Sequence, residues 1–249
     1  MSSALHISIA AEPLFNIGPL AVTNSLFTSW LLVLGLSFVA VYVGRNLKKI
    51  PSYLQILVEI PVSGIYDLAN NITGTRAKVF FPFVFTAFIY IIFANWAGLI
   101  PGVGTIFVKI GEHGAEKAPL FRAPTADINT TLALALLSVG LVQFYGLKTL
   151  KMEYVKKFFN FKNPIVTFVG ILELVSEVSK IISFAFRLFG NIFAGEVLLV
   201  VTSFLVPFLV PVPFYGLELF VGFIQALVFS MLTLVFLNLA TTHADYAEH

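Results

Sequence analysis

The chain is 249 residues long, 58% hydrophobic and 11% charged, with a formal net charge of +2, and its mean hydropathy is +0.94. A charged fraction this far below the usual figure of about 25% excludes a soluble domain and marks an all-α polytopic membrane protein. Cysteine is absent, which excludes disulfides, thiol chemistry and thiolate metal sites.

Residues 1–24 carry no Lys or Arg and are expected to lie outside, with His6 and Glu12 as their ionisable groups. No basic stretch precedes an early apolar one, so no cleaved signal peptide is expected. About 20 apolar residues cross a bilayer as a helix, and residues 25–44 fit as the first span. Arg45, Lys48 and Lys49 follow as a cytoplasmic anchor. Residues 50–75 are too polar to span. Leu54, Leu57, Val58, Ile65 and Leu68 give them the pattern of an amphipathic interfacial helix.

The second span is 79–100, with Asn95 near its far end, and 101–129 form an outer loop. The third span, 130–150, ends in a lysine-rich stretch. Residues 164–205 then make one long helix, a turn follows with Pro207, Pro211 and Pro213, and 213–240 make the last helix before a cytoplasmic tail, 241–249. The whole reads as a single membrane domain of about five spans with no internal repeat.

Charge sets the orientation. With the N-terminus outside, the inner segments hold Arg45, Lys48, Lys49, Arg76, Lys78, Lys148, Lys151, Lys156, Lys157 and Lys162, and the outer loop only Lys109, Lys117 and Arg122. Residues 164–205 would measure about 63 Å as one helix, roughly twice a hydrocarbon core of about 30 Å. The C-terminal pair is therefore expected as a long, strongly tilted helical hairpin supported by a protein partner.

The stretch Glu173–Glu196, ELVSEVSKIISFAFRLFGNIFAGE, organises the chain. Ionisable residues inside a membrane are costly and usually mark an ion path or proton relay. At about 100° per residue, Glu173, Glu177, Lys180, Arg187 and Asn191 share one stripe, and Glu196 lies on the opposite side, about 13–14 Å beyond Arg187. Carboxylates then flank one arginine at two levels and on two faces, which suggests two polar paths divided by a fixed positive charge. An arginine keeps its charge at any accessible pH, so it repels protons and attracts a passing carboxylate. The bland alternative is a structural arginine paired with a carboxylate of its own chain.

Glu196 and Glu218 are each isolated in apolar sequence and are expected to face each other across the hairpin as a relay; their alternative is a pair of structural carboxyls. Gln225 shares a face with Glu218, and either holds Arg187 or simply joins the helices. Glu177 and Lys180 are expected to pair with each other, while Glu173 and Ser176 line an aqueous inlet. The stripe Lys180, Phe184, Arg187 and Asn191 is expected to face a partner, with Glu196 turned away. His6, His113, His243 and His249 lie outside the spans without metal-ligand spacing, so no metal or cofactor is expected.

SFAFRLFGNIFAGE (Ser183–Glu196) resembles the signature of subunit a of F-type ATP synthase, the membrane stator beside the rotating ring of c subunits. FPFVFTAFIYIIFANWAGLIPG (Phe81–Gly102), PTADINTTLALAL (Pro124–Leu136) and IQALVFSMLTLVFLNLA (Ile224–Ala240) agree in order. The resemblance implies that Arg187 is the stator arginine, that Asn191 and Gln225 are its polar neighbours, and that Glu196 and Glu218 form the outer half-channel relay. It implies an inner half-channel at Glu173, Ser176 and Lys180, and an inlet near Asp127 and Asn129. Position 218 is histidine in some relatives. The implied partners are the c-subunit ring, the subunit b peripheral stalk, the rest of the complex and the lipid bilayer of the inner membrane, with no nucleic acid. No phosphate-binding loop is present, so a non-catalytic subunit is expected. The alternative is a stand-alone ion channel or secondary transporter, which would need a complete pathway, often with an inverted repeat.

Overall fold

The computed structural model describes residues 11–18, 20–100, 103, 106–110, 116–158, 163–206 and 209–242. The four histidines, Lys162, Pro207 and the tail from 243 onward lie outside them. The elements in order are strands β1 (Pro13–Ile17) and β2 (Leu20–Thr23), helices α1 (Asn24–Arg45), α2 (Tyr53–Thr73) and α3 (Ala77–Ala97), strands β3 (Phe107–Ile110) and β4 (Glu116–Pro119), and helices α4 (Ile128–Leu150), α5 (Met152–Phe158), α6 (Pro164–Leu205) and α7 (Pro211–Thr242). Helix dominates, and among the described residues five helical stretches are long and apolar enough to cross a membrane. The protein is an all-α polytopic membrane protein with two short antiparallel hairpins, β1–β2 and β3–β4, that the alternation of residues did not suggest. The expected interfacial helix is shorter than 50–75: Ser52 caps α2 by accepting from the Gln55 N–H, and Gly74 ends it with a left-handed φ of 56°.

The residues fall into two compact units: 1–51, 89–131 and 187–226 form the first, and 52–88, 132–186 and 227–249 the second. Helices α3, α4, α6 and α7 give residues to both. On α6 the division falls between Phe186 and Arg187.

In the first unit, the start of α1 is the organising contact. Thr23 caps the helix, and Asn24, Ser25 and Thr28 are buried polar residues that an isolated span would not carry. Asn24 Nδ2 donates to the Pro119 carbonyl (3.2 Å), Ser25 Oγ to Asp127 Oδ2 (2.9 Å), and Thr28 Oγ1 accepts from the Arg122 N–H (3.3 Å). Beyond that first turn α1 is largely exposed, Phe38 at 72%. The end of α3 is tied to α7 by Asn95 Nδ2 on the Gly222 carbonyl (2.8 Å) and Trp96 Nε1 on the Leu219 carbonyl (3.1 Å).

The second unit has a conventional apolar core of Ala69, Ala77, Phe80, Val84, Val142, Tyr154, Leu234, Leu237 and Ala240. Phe184 of α6 is buried there, its ring 4.9 Å from that of Phe229 and 5.8 Å from that of Phe236. Two glycines let α5 approach closely. A Cβ on Gly146 would strike the Tyr154 ring, and one on Gly170 the Phe158 carbonyl.

Candidate functional site

Arg187 lies on the exposed side of α6 and makes no ion pair with any described residue. Asn191, one turn on and also exposed, donates to Gln225 Oε1 across 2.7 Å. Gln225 is buried, and its Nε2 finds no hydrogen-bond partner among the described residues. Gln225 therefore joins α6 to α7 through Asn191, and the alternative in which it holds Arg187 is not the arrangement seen. Phe184 does not share the exposed stripe. At that turn of α6, Ser183, Phe186 and Arg187 are outward and Phe184 and Ala185 inward.

Further along α6, Glu196 opens into a cavity of about 340 Å³ whose polar lining is Asn95, Arg122, Glu196, Ser203, Tyr215 and Glu218. The two carboxylates are thus brought to one space from α6 and α7. Arg122 Nη2 lies 3.5 Å from Glu196 Oε2. Glu218 is buried, and its carboxyl rests against Gly195, where any Cβ would overlap it. Glycine is needed there because two helices meet across a carboxyl group. Asn95 adds a carboxamide oxygen without a hydrogen-bond partner among the described residues.

Asp127 is held by hydrogen bonds on both carboxylate oxygens. Its Oδ1 accepts from the N–H and Nδ2 of Asn129 (3.0 and 3.2 Å), and its Oδ2 accepts from Ser25. It caps α4 and anchors α1, and it is not among the residues lining the cavity.

In the second unit, Glu173 Oε1 meets Lys157 Nζ at 2.6 Å and Glu177 Oε1 meets Lys180 Nζ at 2.7 Å. The Lys180 pairing is the self-paired reading of that stretch. Glu177 Oε2 also accepts from Gln143 Nε2 (2.8 Å), whose Oε1 accepts from the Tyr154 hydroxyl (2.8 Å). Burial, and after it the charges of Glu177 and Glu173, push Tyr154 up to about 12 against the lowering effect of its bond to Gln143. Ser176 is exposed on the same helix. Sequence reasoning missed Arg122, Gln143, Tyr154 and Lys157. For Arg122 a signal was present: it stands two residues before the segment that begins at Pro124, already singled out as part of the resemblance.

Long apolar helices with ionisable groups set among them define a multi-pass membrane protein of the ion-transporting kind. Residues 26–238 match the family model described as ATP synthase A chain. The chain belongs to that family, the a subunits of the membrane sector of F-type ATP synthase, which work in complex with the other subunits of the synthase. It is 34% identical over 248 residues to "ATP synthase subunit a" of Gloeobacter violaceus, covering 98% of this chain and 93% of that protein. It is 30% identical over 241 residues to "ATP synthase subunit a" of Syntrophobacter fumaroxidans, covering 96% and 93%.

Proposed function

We propose that this chain is the proton-conducting stator subunit of its ATP synthase, a non-catalytic membrane subunit that loads and unloads carboxylates on a rotating c-ring through two half-channels. It would sit in the inner membrane with its N-terminus outside and its C-terminus in the cytoplasm, supported by subunit b. Protons enter by Glu196 and Glu218, pass to a ring carboxylate, and leave on the other side of Arg187 by Glu173 and Ser176. The observation that carries this reading is Arg187: a permanent cation on an apolar helix, exposed, and with no ion pair among the described residues. A structural arginine would be expected to spend its charge on a carboxylate of its own chain. The second support is the cavity that gathers Glu196 and Glu218. Arg187→Ala is expected to abolish ATP-driven proton pumping in membrane vesicles, and Arg187→Lys to fail as well, because lysine can titrate when desolvated. Near-normal coupled pumping in the lysine variant would overturn the reading.

A further inference from the structure

Arg122 is buried, with its side chain 6% exposed, beside a Glu196 side chain that remains 38% exposed. The oxygen that faces the arginine, Oε2, is itself shut off from solvent. Helices α1 and α6 and the turn after α3 fix the segment that carries Arg122. Its N–H is held by Thr28 of α1, the preceding Phe121 ring lies 6.1 Å from that of Phe27, and the following Ala123 packs against Ile192 of α6 and leaves no room for a Cβ on Gly98. A buried guanidinium is expensive unless it faces a carboxylate, and this one is delivered to the wall of a cavity already holding two.

We propose that Arg122 is a positioning residue for proton transfer at Glu196: it holds Oε2 and leaves Oε1 as the oxygen that takes and gives the proton. The inference rests on the reading of Glu196 as a relay. An arginine does not release its own proton, so Oε2 stays committed to it. A proton arriving from water binds at Oε1 and leaves from the same atom toward the Glu218 carboxylate, with no other bond changed. The titratable and charged groups that face Glu196 in the cavity are Arg122 from the loop and Glu218 and Tyr215 from α7; α3 presents Asn95, which does not titrate.

The test uses intact synthase complexes in inverted vesicles, reading ATP-driven acidification across pH, with assembly checked by the amount of this subunit that co-purifies. Arg122→Gln is expected to lower pumping about tenfold or more and to move the pH profile to higher pH by about one unit or more, since it removes a fixed positive charge beside a carboxylate. Arg122→Lys is expected to keep most of the rate and the original profile. In a Glu196→Gln background, Arg122→Gln should add no further loss. Wild-type rate and profile in Arg122→Gln, with Glu196→Gln slow, would overturn this inference and leave the relay standing. A lysine variant as impaired as the glutamine variant would make Arg122 a packing residue and also overturn it. Should Arg122→Gln fail to assemble, the double variant with Glu196→Gln is expected to assemble, because no unpaired charge is left; its failure would overturn the inference too. A Glu196→Gln complex that pumps normally would remove the relay itself.

Discussion

Glu173 and Glu177 in the second unit each meet a lysine within 2.7 Å, whereas the cavity of the first unit brings one arginine to Glu196 at 3.5 Å and sets Glu218 against bare glycine backbone. In the first case charge is matched one to one by flexible side chains, and Glu177 is further secured by Gln143. In the second, two carboxylates share a space with a single cation among the described lining residues. Unmatched carboxylates beside open volume keep the capacity to change protonation, and that capacity is what a relay consumes on every turnover. The same residue type thus stands in two settings in one chain, distinguished by how completely each carboxylate is partnered.

The largest expected effect lies in the cavity. Glu196→Gln should slow proton entry about a hundredfold, the scale of a lost acid–base group, and Glu218→Gln to a similar or lesser degree. The double variant should be clearly less than additive, as for residues acting as a unit. Fully additive losses in vesicle pumping assays would show that the two carboxylates do not share a path and would break the contrast. At Gln143 in the second unit the loss should be of stability. Gln143→Leu leaves the Glu177 carboxylate and the Tyr154 hydroxyl each short of a partner, at a cost of about 1–3 kcal/mol per buried group. It should lower the melting temperature of the purified complex without changing the pH profile of pumping.

A smaller effect concerns Tyr154, which holds its proton up to about 12 in the folded chain against 10.0 for the ordinary side chain. Between those values the unfolded chain loses the proton and the folded chain keeps it, so stability falls as pH rises through that window. Melting curves of Tyr154→Phe should lack this alkaline component; an identical alkaline loss in the phenylalanine variant would refute the assignment. The smallest effect is expected of Lys157→Met. Its partner pair is partly exposed, worth no more than about 1 kcal/mol, and pumping should change little. A large loss of pumping on that substitution would show that Glu173 needs its lysine partner to serve as the exit carboxylate.

Much of this was legible in the chain. Length and hydropathy gave the long apolar helices, and the bounds expected for the penultimate one, 164–205, are those of α6. The isolation of Arg187, Glu196 and Glu218 in apolar sequence drew attention to α6 and α7, and Glu196 and Glu218 line one cavity. Phe184 was misread because lipid and protein core are equally apolar, so periodicity cannot tell which way an aromatic on a membrane helix faces. Arg122 was missed because its partner lies on another helix, and no local pattern encodes such a pairing. The β3–β4 hairpin and α5 were missed because short elements in polar connections owe their form to what they pack against. Asp127 was noticed for its chemistry; that Ser25 and Asn129 also make it a joint could not be read from the sequence, because Ser25 lies 102 positions away.

That joint has a consequence for the order in which the protein is made. Ser25 and Asp127 are 102 positions apart, and Asn24 reaches Pro119 across 95. At a synthesis rate of about 5–20 residues per second, the head of α1 waits roughly 5–20 s for its partners to emerge. Until then Asn24, Ser25 and Thr28 have none of those partners. The head of α1 is therefore locked only after the chain through residue 127 has been made, although the helix itself is complete at Arg45, about 80 residues earlier.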